Sequence, residues 1–169
     1  SMNQTETLAP PSPLANLPSA PLRLVLQPLL ARIVRRIAAR HPDMFERLGP
    51  YQKADFLIVI REFPFALHLR PDPQSPILRS VSRSEPPEHD ARIEGPFLLM
   101  LQLIDGESDG DAAFFSRDLT ISGNTEAVVT LRNTLDDIDG SIAEETAESF
   151  GPPGKALLAL LRRRSKQHG

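Results

Sequence analysis

Four histidines (His41, His68, His89 and His168), a Gly-Pro-Pro-Gly-Lys run at 151–155 and the acids of Leu-Asp-Asp-Ile-Asp at 135–139 are the parts of this 169-residue chain from which chemistry could be assembled. Each fails on spacing. A phosphate-cradling loop needs a glycine at position 149 and a hydroxyl residue after the lysine; the chain has Ser149 and Ala156, so 151–155 reads as a loop ahead of a helix. The histidines never fall at metal-ligand intervals and read as surface or turn residues. No Gly-x-Ser-x-Gly elbow presents a nucleophile. His89-Asp90 and the trio Asp136, Asp137 and Asp139 lack the glycine and glutamate spacing of a calcium loop. Without cysteine the chain has no thiolate, no disulfide and no sulfur ligand for zinc or iron. The sequence therefore predicts no catalytic residue, no cofactor and no metal site.

The elements that would position a site are easier to read. Ser1, ahead of Met2, reads as a cleavage scar. Residues 1–20 are rich in proline, serine and small polar residues and are expected to form a disordered arm, because such a composition buries too little surface to offset its ordering entropy. From there Leu22, Leu26, Leu29, Ile33 and Ile37 recur at steps of three and four, which predicts a helix that ends before Pro42 and is kinked or started by Pro28. Residues 21–48 form a basic amphipathic extension, 49–164 the domain and 165–169 a tail. The runs 55–60 and 65–70 predict a hairpin; 77–83 and 89–95 are weaker strands divided by Ser-Glu-Pro-Pro-Glu. Pro96 opens a short buried helix that ends before Gly106. In 117–123, Leu119 and Ile121 face inward, alternating with Asp118, Thr120 and Ser122. Asn124 caps a last long helix whose apolar face is Val128, Leu131, Leu135 and Ile138, and 155–164 is a short basic helix.

Charge is strongly segregated. Six arginines stand against Asp43 and Glu46 between Pro21 and Leu48, sixteen acids face Arg92, Arg117 and Arg132 between Glu85 and Glu148, and the end is basic again. The basic ends are either solvated helix faces or surfaces for an anionic bilayer, with Arg32, Arg35, Arg36 and Arg40 as the membrane-contact residues. One tyrosine, no tryptophan and a net charge of -3 exclude nucleic acid as the partner. The longest apolar run, Phe-Leu-Leu-Met-Leu-Gln-Leu-Ile at 97–104, is far short of the ~20 residues of a membrane span, so membrane contact is peripheral.

The order of elements, with Arg-His-Pro-Asp-Met-Phe-Glu-Arg-Leu-Gly at 40–49 and the strand-turn-helix of 114–137, resembles the sterol-carrier-protein-type lipid-binding domain across roughly residues 22–140. The resemblance implies an α+β fold in which a small antiparallel sheet covered by helices encloses an apolar tunnel, with an N-terminal helical extension. It implies lipid contact from Phe97, Leu98, Leu101, Phe114, Phe115, Leu119, Ile121, Val128, Leu131 and Leu135, around a cavity between the sheet and helices 96–104 and 125–138. Within the family the chain is similar to ubiquinone-biosynthesis accessory members. That similarity implies a non-catalytic role sheltering an isoprenoid quinone or its intermediates in oxygen-independent synthesis, beside UbiU/UbiV-like hydroxylation proteins, in the cytoplasm and reversibly at the inner membrane face. Asn124 stands where the family has aspartate, and the C-terminal helix is too generic to align. A general phospholipid carrier, an interaction module with a filled core, and a lipid hydrolase or isomerase are the competing readings; the last lacks a nucleophile-base pair.

Overall fold

The computed structural model describes residues 18–105, 110–136 and 142–168. The expected arm up to residue 17, Gly106, Asp137, Ile138 and Asp139 lie outside them. In chain order the elements are α1 (Ser19–Arg40), α2 (Pro42–Glu46), a 3-10 turn (Gly49–Tyr51), β1 (Phe56–Ile60), β2 (Ala66–Arg70), β3 (Ile77–Val81), β4 (Ala91–Gly95), α3 (Phe97–Ile104), α4 (Gly110–Phe114), β5 (Thr120–Gly123), α5 (Thr125–Asp136), α6 (Ile142–Glu148) and α7 (Gly151–His168). The strands form one sheet of order β3-β2-β1-β4-β5. Three pairs are antiparallel, but β1 and β4 run parallel, with Phe56 opposite Ala91 and Ile58 opposite Ile93. The expected antiparallel sheet is thus a mixed one. The reason lies in the connection: β4 does not turn back on β3 but is inserted on the far side of β1.

Two-residue periodicity gives the sheet two distinct faces. One carries Leu78, Leu69, Phe56 and Ala91 in a row, with Ile58, Ile93 and Ile121 in the next. This face meets Ile33, Val34 and Ile37 of α1, Met44 and Phe45 of α2, and Ala127, Val128 and Leu131 of α5. The other face carries Leu57, Val59, Ala66 and Val81 as a smaller buried cluster, with His68 between them. By elimination it is the side left for the strap 82–90 to cross. β3 and β4 both run with β1, so the chain must return the length of the sheet between them, and the first face is already occupied by helices. Arg83 donates to the Arg61 and Phe63 carbonyls at one end, and the Asp90 N–H donates to the Asp55 carbonyl at the other. Nine residues reach at most about 30 Å, enough to span a five-residue strand of about 17 Å.

α1 is continuous through Pro28, which lies exposed. Its Gln27 side chain does more than pack: Nε2 donates to the Ser80 carbonyl at 2.7 Å and Oε1 accepts from the Ser80 N–H at 3.0 Å. The amide thus takes the place of a neighbouring strand along edge strand β3, which would otherwise present unpaired backbone groups. α1 begins at Ser19, inside the expected arm, and ends at Arg40 as Pro42 requires. Two further expectations are corrected at the C-terminus. Gly151 to Lys155 is the first turn of α7 and not a loop, because prolines suit a helix start where no N–H partner is needed. The expected tail continues α7, with Ser165 buried against Gln102.

Candidate functional site

Gly123 and Asn124 are the hinge on which the apolar layer is built. Gly123 has φ 80°, and a Cβ there would lie 2.5 Å from the Asp90 carbonyl, so only glycine lets β5 close on β4. Asn124 Oδ1 then accepts the Ala127 N–H at 3.1 Å, which starts α5 directly over the sheet. The consequence is that Ala127, Val128 and Leu131 drop onto Phe56, Ala91 and Ile93, with Phe114, Leu119, Ile121 and Leu135 half-buried around them and Met100 reaching in from α3. Arg132 holds the rim: it ion-pairs with Asp111 and Asp136 and lies 5.5 Å from the Phe114 ring centroid.

α3 closes one end of this layer. Seven of its eight residues are apolar, and its ends are fastened by residues from elsewhere in the chain. Glu62 accepts the Phe97 N–H at 2.8 Å, and Arg162 of α7 makes a two-pronged bond to buried Asp105 at 2.7 and 2.8 Å. Yet within α3 only Leu101 is buried; Phe97, Leu98, Leu99, Met100, Leu103 and Ile104 are half-buried. A helix apolar on every side is normally enclosed on every side. Here the neighbours cover part of it and leave apolar surface over.

The expected contact residues therefore separate. Phe114, Leu119, Ile121, Val128, Leu131 and Leu135 come together on the main cluster. Leu101 belongs to a second one with Ala143, Ala147 and Leu158, because α3 turns that side to α6 and α7. Phe97 stands in a row of rings with Phe63, 5.7 Å away, and Leu98 is half-buried. Phe115 is the correction: it is 78% exposed, resting edge-on against Phe114, because α4 ends at Phe114 and the chain turns outward. It lines no interior wall.

The polar groups are mostly committed to one another. His68, expected at the surface, is 3% exposed. Arg79 Nε donates to its Nδ1 at 2.9 Å, which leaves the hydrogen on Nε2 to donate to Asp55 Oδ1 at 2.7 Å. Arg70 adds two bonds to the same carboxylate. Partial burial of Asp55 pushes its carboxyl up, but the hydrogen bonds and charges of Arg70 and His68 outweigh this and hold it below the usual carboxylate range. An aspartate-histidine pair has the form of an acid-base dyad, but both ring nitrogens are engaged inside the protein, so it has no free position for a substrate. The alternation of 65–70 placed His68 beside Ala66 and Arg70; its burial was not readable because the strap above it was not. His41, at the end of α1, bonds Glu145, and His89 bonds the Pro87 carbonyl. Among the described residues no cluster of histidine or acidic side chains is arranged to hold a metal ion.

The segregated charge folds back on itself. Arg36 and Arg40 of α1 meet Glu145 and Glu148 of α6 at 3.3 to 3.9 Å, and Arg162 meets Asp105 and Glu144. Of the four expected membrane-contact arginines, two are thus engaged with α6, a helix the sequence reading missed. Its signal was faint, since Ala143 and Ala147 are the small apolar residues that define its inner side.

The SCP-2 sterol transfer family matches residues 34–136, from mid-α1 to the end of α5. Among solved structures, a "UbiJ-SCP2 Ubiquinone synthesis protein" is similar at TM-score 0.50 and 16% identity, covering 72% of this chain and 94% of that one. The sterol carrier protein 2 of Yarrowia lipolytica, apo form, is similar at TM-score 0.46 and 11% identity, covering 68% and 89%. No curated protein matches. Among the described residues no helix is long and apolar enough to cross a membrane.

Proposed function

Because the chain belongs to the SCP-2 sterol transfer family, we propose that it is a lipid-binding accessory protein whose cargo is an isoprenoid quinone or a biosynthetic intermediate of one. The observation that carries this reading is α3, an apolar helix fastened at both ends whose side chains are left half-buried between the sheet, α5 and α7. The lipid tail would lie between α3, α5 and the sheet face of Phe56 and Ile93, in contact with Leu98, Met100, Leu131 and Leu135. The physical need is plain: each buried methylene is worth ~0.8 kcal/mol, so a polyprenyl tail strongly favours a sheltered position over water. An enzyme acting on the aromatic head then needs a partner that holds the tail.

Support for the pathway comes from two directions. One of the similar solved structures is that of a ubiquinone synthesis protein, and the stretches 40–49 and 114–137 are similar to the accessory factor UbiT. In this reading the protein performs no reaction itself. It hands substrate to UbiU/UbiV-like hydroxylation proteins and works in the cytoplasm beside the inner membrane. The test is solvent extraction and mass spectrometry of the purified full chain, followed by loading with a polyprenyl phenol. A bound polyprenyl quinone or phenol is the expected result. Phospholipid alone would make it a general phospholipid carrier, and no bound lipid together with no uptake would make it an interaction module with a filled core.

A further inference from the structure

We infer that Arg132 binds the polar head of the cargo, its Nε donating a hydrogen bond to a neutral phenol or quinone oxygen; the inference rests on the lipid-binding reading above and names the polar end of that same site. Arg132 stands on α5 between Val128, four residues before it, and Leu135, three after it, so its stem leaves the helix on the side that packs on the main apolar cluster. The side chain is 18% exposed. Its outer end is engaged: one terminal nitrogen pairs with Asp111 and, at 3.0 Å, with Asp136, and the other donates to Asn133 Oδ1 at 3.4 Å. Both carboxylates are open to water, at 72% and 43% exposed. The guanidinium carbon lies 5.5 Å from the ring centroid of Phe114, which itself packs on the apolar cluster. Nε, the nitrogen nearest the stem, is buried and finds no acceptor among the described residues.

A buried N–H without an acceptor is costly, and folded chains leave few of them. Here the exposed carboxylates draw the outer end of the guanidinium toward water, which leaves Nε on the inner side, next to Phe114 and the layer in which the tail would lie. An oxygen at the end of a buried tail would supply the missing acceptor. Charge selects the kind of oxygen: one guanidinium against two carboxylates leaves the cluster negative, so a phosphate head would be repelled where an uncharged oxygen would not. The other buried donor of this kind, Nε of Arg23, belongs to α1 beside edge strand β3, at the opposite margin of the sheet from β5, and has no part in this layer.

The experiment measures the affinity of the full chain for three probes, by competition with a fluorescent prenyl compound: a short-chain polyprenyl phenol, the same chain on an unsubstituted benzene ring, and the same chain ending in phosphate. The readout is the ratio of phenol to hydrocarbon affinity. In R132K a methylene stands in the place of Nε while the ammonium still reaches the carboxylates, and the ratio should fall about tenfold, the worth of one hydrogen bond from a charged donor. In R132Q an amide nitrogen stands as many bonds from Cα as Nε does but carries no charge, and the ratio should fall by about threefold or less. A ratio unchanged in R132K would overturn the proposal. So would an equal fall in both variants, which assigns the effect to the ion pairs and not to the donor. Where circular dichroism shows that a variant has not folded, the parent decides: its Arg132 Nε–H resonance should shift on adding the phenol and stay in place on adding the hydrocarbon, and a resonance indifferent to the phenol would overturn the proposal. Phosphate bound more tightly than phenol would overturn it as well. Failure of the parent to take up either phenol or hydrocarbon would instead strike the lipid-binding reading and this proposal with it, whereas uptake of both with no role for Nε strikes this proposal alone.

Discussion

Removing the Asp55 carboxylate isolates the polar knot beneath the strap. In Asp55→Ala the His68 Nε2–H loses its acceptor, and at 3% exposure the ring cannot turn to water, so the buried donor costs ~1–3 kcal/mol. Arg70 also loses two bonds, but its side chain is 38% exposed and regains water, which keeps its share below about 1 kcal/mol. The sum is a loss of about 1–4 kcal/mol, or roughly 2–16 °C in Tm for a chain of this size. Urea unfolding followed by circular dichroism should show a lower midpoint with the same slope. The difference from the parent should also depend on pH in one direction. The folded carboxyl is held below its unfolded value, so its stabilisation is complete above the ordinary carboxylate pKa of about 3.9 and disappears as pH falls through the lower, folded value. The gap between parent and variant should therefore persist from neutrality to about pH 5 and narrow below about pH 4. A midpoint change worth less than about 0.5 kcal/mol at neutral pH would refute the reasoning, since the knot would then contribute nothing to holding β2, β3 and the start of β1 together.

Two other substitutions probe the ends of the apolar layer. Arg162→Ala leaves the Asp105 carboxylate buried without its two-pronged partner and should cost about 3–5 kcal/mol, with faster amide exchange in α7 and the last turn of α3 as the local readout. Leu131→Ala should destabilise by about 2–5 kcal/mol and lower the amount of extractable lipid, whereas Phe115→Ser should change stability by less than about 0.5 kcal/mol and leave that amount unaltered.

What could be read without coordinates was local. The alternation of 55–60 and 65–70 gave the hairpin, and Gly123-Asn124 gave the corner between β5 and α5, because a positive φ and a capping amide are properties of single positions. The three- and four-residue spacing of Leu29, Ile33 and Ile37 named the inner side of α1, but not what it would meet. The parallel pairing of β1 and β4 was invisible, since it depends on β4 crossing to the far side of β1 and not turning back on β3, which no local pattern records. α6 was missed because alanines carry its inner side among glutamates, and the segregation of charge was read outward when much of it is satisfied within the chain. Phe115 was misplaced for a related reason: hydrophobicity marks a residue as able to be buried, and the turn after α4 decides that it is not.

The insertion of β4 beside β1 also orders events in time. β1, β2 and β3 are neighbours in sequence and can pair within microseconds as a meander, whereas the β1–β4 pairing joins residues 35 apart, and Gln27 finds Ser80 only across 53. During synthesis α1 leaves the ribosome before any of its partners exist. Its Ile33 and Ile37 side then stays uncovered until β3 has emerged, several seconds later at ~5–20 residues per second. The helix made first is thus obliged to wait for its place, and the interval in which its sticky side is open is set by the translation rate and not by its own propensity to fold.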